Sequence, residues 1–421
     1  MRPSTLITSV VAAATAVAAI PVSACPEFNK EGFAIKYPRL YPTAAAWDPA
    51  TCLLFVGSRV EPKVIVYDPY KDHILREIEI PGLEPKSDYQ ISSIHWDMYT
   101  AWWTFLATRG NWEDLRDPTQ AGNTIIARYD FSKDRFLWTI DLEGRMKDWA
   151  YKKAKWGGFH GLEVDDRGQV YFAGTFQGSR DHWGNIPPTT SIVFRVPGKH
   201  VNIRGLVAVP GSYRLMTHST DTGYLGMFNM GCEDNDVVPK WLTSDCMSAN
   251  VKILDIQSMT LPPKYLENNV MLLTSPTQGV QVMQSFGWKW QPDDILNKHP
   301  AYQHTFGIIP PTFRMRAEGA FPSDTVQVGP SSVYVMWGHK VGHNFHGRVK
   351  DEKTWFFEDI TEAVEEALII KVRDGTDGQP TDWNNPDIYP SADQMDERAR
   401  LQDGWHLNKE WKWKGCDGYR S

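Results

Sequence analysis

His160 and Glu318 are the residues best placed in type to move protons near neutral pH. An imidazole titrates there unaided, and a desolvated carboxyl can be raised toward the same range. Arg204 and Arg109 are cations that would hold a developing oxyanion without giving up a proton. These candidate catalytic residues are not scattered. His160, Arg204 and Glu318 each head one copy of a recurring phrase, in which a polar residue precedes small or aliphatic residues and an apolar residue often followed by Asp. The phrase is clearest in Thr43-Ala44-Ala45-Ala46-Trp47-Asp48, Ser92-Ser93-Ile94-His95-Trp96-Asp97 and His160-Gly161-Leu162-Glu163-Val164-Asp165. Fainter copies begin at Arg204, Gln257 and Glu318, and the steps between leading residues are 49, 68, 44, 53 and 61.

A period of roughly 40–50 residues is that of a four-stranded propeller blade. Six copies predict an all-β, six-bladed β-propeller, whose leading residues Thr43, Ser92, His160, Arg204, Gln257 and Glu318 converge on a central channel. A second set follows the second strand of each blade and should meet the first on one face: Arg59, Arg109, Gln177, His218, Gln278 and His339. Convergent polar groups inside an aromatic shell are the usual form of a ligand site. Thr43, Ser92, Gln257, Gln177, His218, Gln278, Trp337 and His339 are therefore the expected substrate-binding residues. The plainer alternative is that axial polar groups satisfy one another and trapped water. His339, His343 and His346 resemble a metal cluster, but they leave a strand into a Gly-bearing turn and lack a fourth ligand, so no metal is expected. There is no nucleophile elbow and no nucleotide-binding glycine motif.

The strands that would carry these residues are legible from alternation and turn signals. Blade one takes 53–57, 64–67 and 74–80; blade two takes 102–108, 124–129 and 135–140. Blade three takes 170–174 and 191–196, blade four 213–218 and 224–228, blade five 270–274 and 279–283, and blade six 332–337 with 354–357. Insertions at 111–122, 144–157 and 287–303 interrupt the rhythm, and helical spacing covers 361–372. The expected division is a signal segment over 1–24, the propeller over 25–358, and over 359–421 a C-terminal helix with an extended arm held by Trp405, Trp411 and Trp413.

Arg2, an apolar stretch to Ile20 and Val22-Ser23-Ala24 read as a secretory signal cleaved after Ala24. Val22-Ser23-Ala24-Cys25 also fits a lipoprotein box. No apolar segment is long enough for a comfortable membrane span. Secretory entry, ending outside the cell or in a vesicle, permits disulfides, with Cys25–Cys52 and Cys232–Cys246 the natural pairs and Cys416 left over. A net charge of −7 without a basic cluster argues against nucleic acid. Oligomeric state is not encoded in any of these features.

Leu162-Glu163-Val164-Asp165-Asp166-Arg167-Gly168-Gln169-Val170-Tyr171 resembles the gluconolactonase and strictosidine-synthase-like propellers. Those lactonases hold a divalent cation on Glu, Asn and Asp, where this chain carries Thr43, Ser92, His160 and Arg204, so Ca²⁺ is disfavoured. Ser23-Ala24-Cys25-Pro26, 37–42 (Tyr-Pro-Arg-Leu-Tyr-Pro), Trp47-Asp48, Cys52 and Val66-Tyr67-Asp68-Pro69-Tyr70 resemble secreted fungal propellers of natural-product clusters. These include the trichothecene cluster protein fourteen family and the hetero-Diels–Alderases of tropolonic sesquiterpenoids. That resemblance implies a cofactor-free cyclase that closes an oxygen heterocycle on an apolar terpenoid or polyketide-derived substrate. His160 or Glu318 would assist dehydration, and Arg204 or Arg109 would bind the acidic oxygens. A metal-dependent lactonase-type hydrolase and a non-catalytic small-molecule-binding propeller are the alternatives.

Overall fold

A computed structural model gives the fold, describing residues 25–84, 89–97, 100–109, 124–142, 155–164, 170–177, 185–186, 191–193, 203–209, 214–219, 225–229, 240–242, 256–265, 270–285, 303–339 and 353–373. The expected signal segment, the Cys232–Cys246 pair, Cys416, His343, His346, most of the three insertions and the arm beyond 373 lie outside the described residues.

Several blades are built around a short, largely apolar strand, as in 53–58, 270–275 and 332–339, because burial on both faces favours apolar side chains. The first sheet runs β2 (Pro42–Asp48), β3 (Leu53–Ser58), β4 (Lys63–Asp68) and β5 (His73–Glu79). The second runs β6 (Tyr89–Asp97), β7 (Trp102–Arg109), β8 (Thr124–Asp130) and β9 (Arg135–Asp141). Further sheets are formed by β14 (Ile203–Val209) through β15 (Arg214–Ser219), β16 (Leu225–Asn229) and β17 (Lys240–Leu242), and by β18 (Ser258–Thr260) through β19 (Val270–Ser275), β20 (Gly279–Ser285) and β21 (Gln303–Ile309). The last comprises β22 (Ala320–Val328), β23 (Ser332–His339), β24 (Thr354–Asp359) and β1 (Gly32–Lys36).

These five sheets are antiparallel meanders, as a regular blade requires. The sheet between the second and fourth departs from that order. There β10 (Lys155–Val164) pairs with β11 (Val170–Gln177), but β11 pairs in parallel with β13 (Ser191–Val193), and β12 (Asn185–Ile186) lies at the edge. The expectation of six like blades is therefore corrected to five regular blades and one irregular four-stranded sheet. The chain between β11 and β13 reverses through β12, so β13 enters in the wrong direction for a meander.

The innermost strands touch in succession, β2 to β6, β10, β14, β18 and β22, and β22 returns to β2. This closed ring makes the molecule an all-β propeller. The closing blade takes its outer strand from the N-terminal end, since Ala34 pairs with Phe356 and Ile35 with Trp355. Sequence periodicity gave no sign of this strand, which is separated from its blade by nearly the whole chain. A Cys25–Cys52 disulfide joins the residues ahead of β1 to the β2–β3 turn. The core consists of apolar layers between neighbouring blades. Phe28, Ile35, Tyr334 and Trp355 pack at the closing seam, while Phe55 stacks on Trp103 at 3.5 Å between the first two blades. Helix α1 (Phe313–Ala317) precedes β22, and α2 (Thr361–Arg373) packs on β21 with Thr361 N–H donating to Asp359 at 2.8 Å. Among the described residues no helix is long and apolar enough to cross a membrane.

Candidate functional site at the propeller axis

The recurring phrase has a structural meaning. In each of five inner strands the pairing to the second strand slips by one residue, between Pro42 and Ala44, Ile91 and Ser93, Phe159 and Gly161, Arg204 and Leu206, and Pro322 and Asp324. The bulged residues are thus Thr43, Ser92, His160, Gly205 and Ser323. A bulge leaves one carbonyl of the partner strand without its ladder donor. The Thr43 hydroxyl donates across the bulge to the Gly57 carbonyl at 3.2 Å, with the Ile91 carbonyl of the next blade also in contact. Ser92 Oγ donates to Leu106 O at 3.2 Å, and Ser323 Oγ to Met336 O at 3.1 Å. In the fifth sheet Gln257 uses its backbone N–H for the equivalent bond, to Thr274 O at 2.8 Å.

Several expected site residues are corrected by this geometry. The Thr43 and Ser92 hydroxyls are engaged as bulge caps. Arg204 is one residue out of phase: Gly205 occupies the bulge with φ +72°, and a Cβ there would stand 2.5 Å from Met259 Cγ. Glu318 is five residues out of phase, since Ser323 holds its place. Glu318 lies exposed in the turn after α1, paired with Arg314 at 3.3 Å. Arg109 ends β7 exposed to solvent. Trp337 is buried in the closing blade, its Nε1 donating to Glu358 at 3.1 Å, and so belongs to the core.

Among the second set, Arg59 and His339 come together at the closing seam, where Arg59 Nη1 donates to the His339 carbonyl at 3.3 Å. The His339 ring lies 5.4 Å from Trp355. His218 is buried on β15, and Gln278 sits in the β19–β20 turn, its backbone N–H on Ser275 Oγ at 3.3 Å. His160 occupies the β10 bulge and Gln177 ends β11, but their side chains lie outside what is described.

Three residues past the bulge, or past Gln257 in the strand without one, the inner strands carry Ala46, His95, Glu163, Ala208, Thr260 and Val326. Two of these meet: His95 Nδ1 lies 3.0 Å from Glu163 Oε1, across adjacent blades. Their side chains retain only 20% and 12% of their accessible surface, so both groups are largely desolvated. Burial pushes the Glu163 carboxyl up to about 8, against the lowering effect of the Val164 and Ala208 N–H groups. Burial also lowers His95 to about 4, with nearby Asp97 opposing this and Arg128 adding to it. Both shifts favour the uncharged forms, a protonated carboxyl and a neutral imidazole. A second buried carboxyl, Asp324, is raised to about 6 by burial, although it accepts N–H bonds from Ala45 at 2.9 Å and Thr325 at 2.8 Å.

His95 and Glu163 both lie inside phrases visible in the sequence. The available signal was a titratable residue at a position that is otherwise small, aliphatic or hydroxylic. Among the described residues no three His, Cys, Asp or Glu side chains gather as a metal site.

The closed ring of sheets defines the protein as a β-propeller, with its candidate site where inner strands β6 and β10 bring His95 and Glu163 together. It is similar to the major allergen Mala s 1 of Malassezia sympodialis, with a TM-score of 0.56 and 11% identity over 79% of this chain and 96% of that chain. The β-propeller domain of Myceliophteria thermophila Cps50 (Swd1) gives a TM-score of 0.43 and 11% identity over 73% and 85% of the two chains. The allergen likeness concerns the fold alone. No protein-family model matches the sequence, and no curated protein matches it.

Proposed function

We propose that this propeller is a cofactor-free cyclase that closes an oxygen heterocycle on an apolar terpenoid or polyketide-derived substrate. The reaction is a dehydration to a quinone methide followed by hetero-Diels–Alder addition to an alkene. The observation carrying this reading is the 3.0 Å contact between the largely buried His95 and Glu163 of adjacent inner strands, where burial favours the uncharged form of each. In the proposed step Glu163 gives its proton to the departing hydroxyl, which leaves as water. His95 takes the proton of the substrate's acidic O–H, giving the neutral quinone methide. Transfer of that proton from His95 to Glu163 resets the pair. The cycloaddition itself forms both new bonds without acid or base, and requires the partners to be held face to face away from water.

Secretory entry through segment 1–24 belongs to the same proposal, supported by the Cys25–Cys52 disulfide, a bond characteristic of oxidising compartments. The test is metabolite profiling of a producing strain with and without the gene. An uncyclised precursor should accumulate in its absence, or the cyclised product should lose its stereochemical purity. An unchanged profile would refute the cyclase and favour a small-molecule-binding propeller.

A further inference from the structure

The second blade contains a buried polar row that the proton-transfer step does not use. Register sets His95 opposite Thr104 and Thr104 opposite Arg128, across β6, β7 and β8. Residues opposite one another in a sheet project from the same face, so the three form one line. Arg128 is 3% exposed and Thr104 fully buried. The Arg128 Nη2 contacts Asp97 Oδ2, donates to Thr100 Oγ1 at 3.2 Å, and the guanidinium lies 5.3 Å from the Trp102 ring. Asp97 lies two residues beyond His95 on the same strand and is 1% exposed.

We propose that Arg128, clamped on Asp97, is a positioning residue that keeps the His95–Glu163 pair uncharged, with the shared proton on Glu163. Asp97 alone would draw the proton to His95, since a buried carboxylate favours an imidazolium nearby. A guanidinium never deprotonates in a protein. Held against Asp97, it cancels that pull and makes a second cation in the row unfavourable. The charged and titratable groups facing His95, among the described residues, are Asp97 on its own strand, Arg128 from β8 and Glu163 from β10. Thr104, from β7, is uncharged. The inference rests on reading the pair as the proton-handling centre, but its test needs no turnover.

The experiment is nitrogen-15 NMR of histidine-labelled, full-length protein from pH 5 to pH 8. In the wild type the His95 ring should remain a neutral tautomer throughout. In Arg128→Met its titration should move upward by about 1–3 pH units, giving imidazolium at pH 6. Arg128→Lys should restore the neutral ring. Should Arg128→Met fail to fold, Asp97→Asn supplies the opposite arm, where the titration should move down or stay out of range. An imidazolium in the wild type at pH 7, an unmoved titration in folded Arg128→Met, or an upward move in Asp97→Asn would overturn the proposal. If the NMR behaves as expected and Glu163→Gln leaves the product profile intact, the cyclase reading fails and the charge clamp stands.

Discussion

A carboxyl and an imidazole in contact can exist as an ion pair or as a neutral pair with the same number of protons. Which form wins depends on what surrounds them. At His95–Glu163 burial disfavours both charges, raising the acid and lowering the base. This pairing gives a distinctive dependence of stability on pH. Between about pH 4.5 and 6.5 the folded pair and its unfolded counterparts bind one proton each, so their contribution is flat. From about 6.5 to 8 the folded pair still holds a proton that the unfolded chain has released. Stability from this pair should therefore fall with rising pH by at most about 1.4 kcal/mol per unit. Glu163→Gln should remove that fall. His95, then acting alone, is lowered in the fold, so the variant should instead lose stability as pH drops from about 6.5 toward 4. Denaturant titrations of both proteins over this range would show the reversal. Parallel curves would show that the pair is charged or solvated. The sequence contained these residues in plain view, but a phrase aligned on its leading polar residue directs attention to the head. Contact between two strands 68 residues apart in phase has no local signature.

The β-bulge is the element around which the inner strands are built. It explains why a hydroxyl stands at three of the bulges: Thr43, Ser92 and Ser323 each meet a carbonyl that the bulge has stranded. Ser92→Ala and Ser323→Ala should each cost about 1 kcal/mol of stability, and neither should alter the product profile. A collapse of product formation in a stable Ser92→Ala protein would return that residue to the binding site. Gly205→Ala should be worse, by about 2 kcal/mol or more, because it combines a positive φ with a steric conflict at Met259. Thermal or denaturant unfolding measures both effects.

Strand positions were largely legible because alternation and turn chemistry are local. Asp48 with Thr51 and Asp97 with Thr100 close equivalent turns by side-chain bonds of 2.6 Å. Asp68 and Asp130 receive N–H bonds from Lys71 and Lys133 in the next hairpin of each blade. Phase was less legible. Arg204 stands beside the true bulge residue, and Glu318 belongs to the turn after α1, because a pattern of small residues tolerates slippage that hydrogen bonding does not.

At the scale of the whole molecule, closure is the controlling feature. β1 completes the last blade from the far end of the chain, and the Cys25–Cys52 bond anchors the residues just ahead of it to the first blade. A cross-link spanning 27 residues should contribute about 3–4 kcal/mol by restricting the unfolded chain. Replacing both cysteines with alanine should lower stability by that order and accelerate hydrogen exchange at Ala34 and Ile35 first. Uniform loss of protection across all sheets would place the weak point elsewhere. The repeat predicted a propeller, but it was silent on the closing strand and on the irregular third sheet. Both depend on pairings between distant or reversed segments rather than on the repeat itself.

The claim that the axial pair performs ring closure is tested most directly by replacing the gene in a producing strain with a Glu163→Gln copy and profiling its metabolites against wild type and deletion. The variant, present at wild-type abundance, should accumulate the same uncyclised precursor as the deletion, with product formation down about 10²–10⁴-fold. A variant profile identical to wild type, beside a deletion that loses the product, would contradict it.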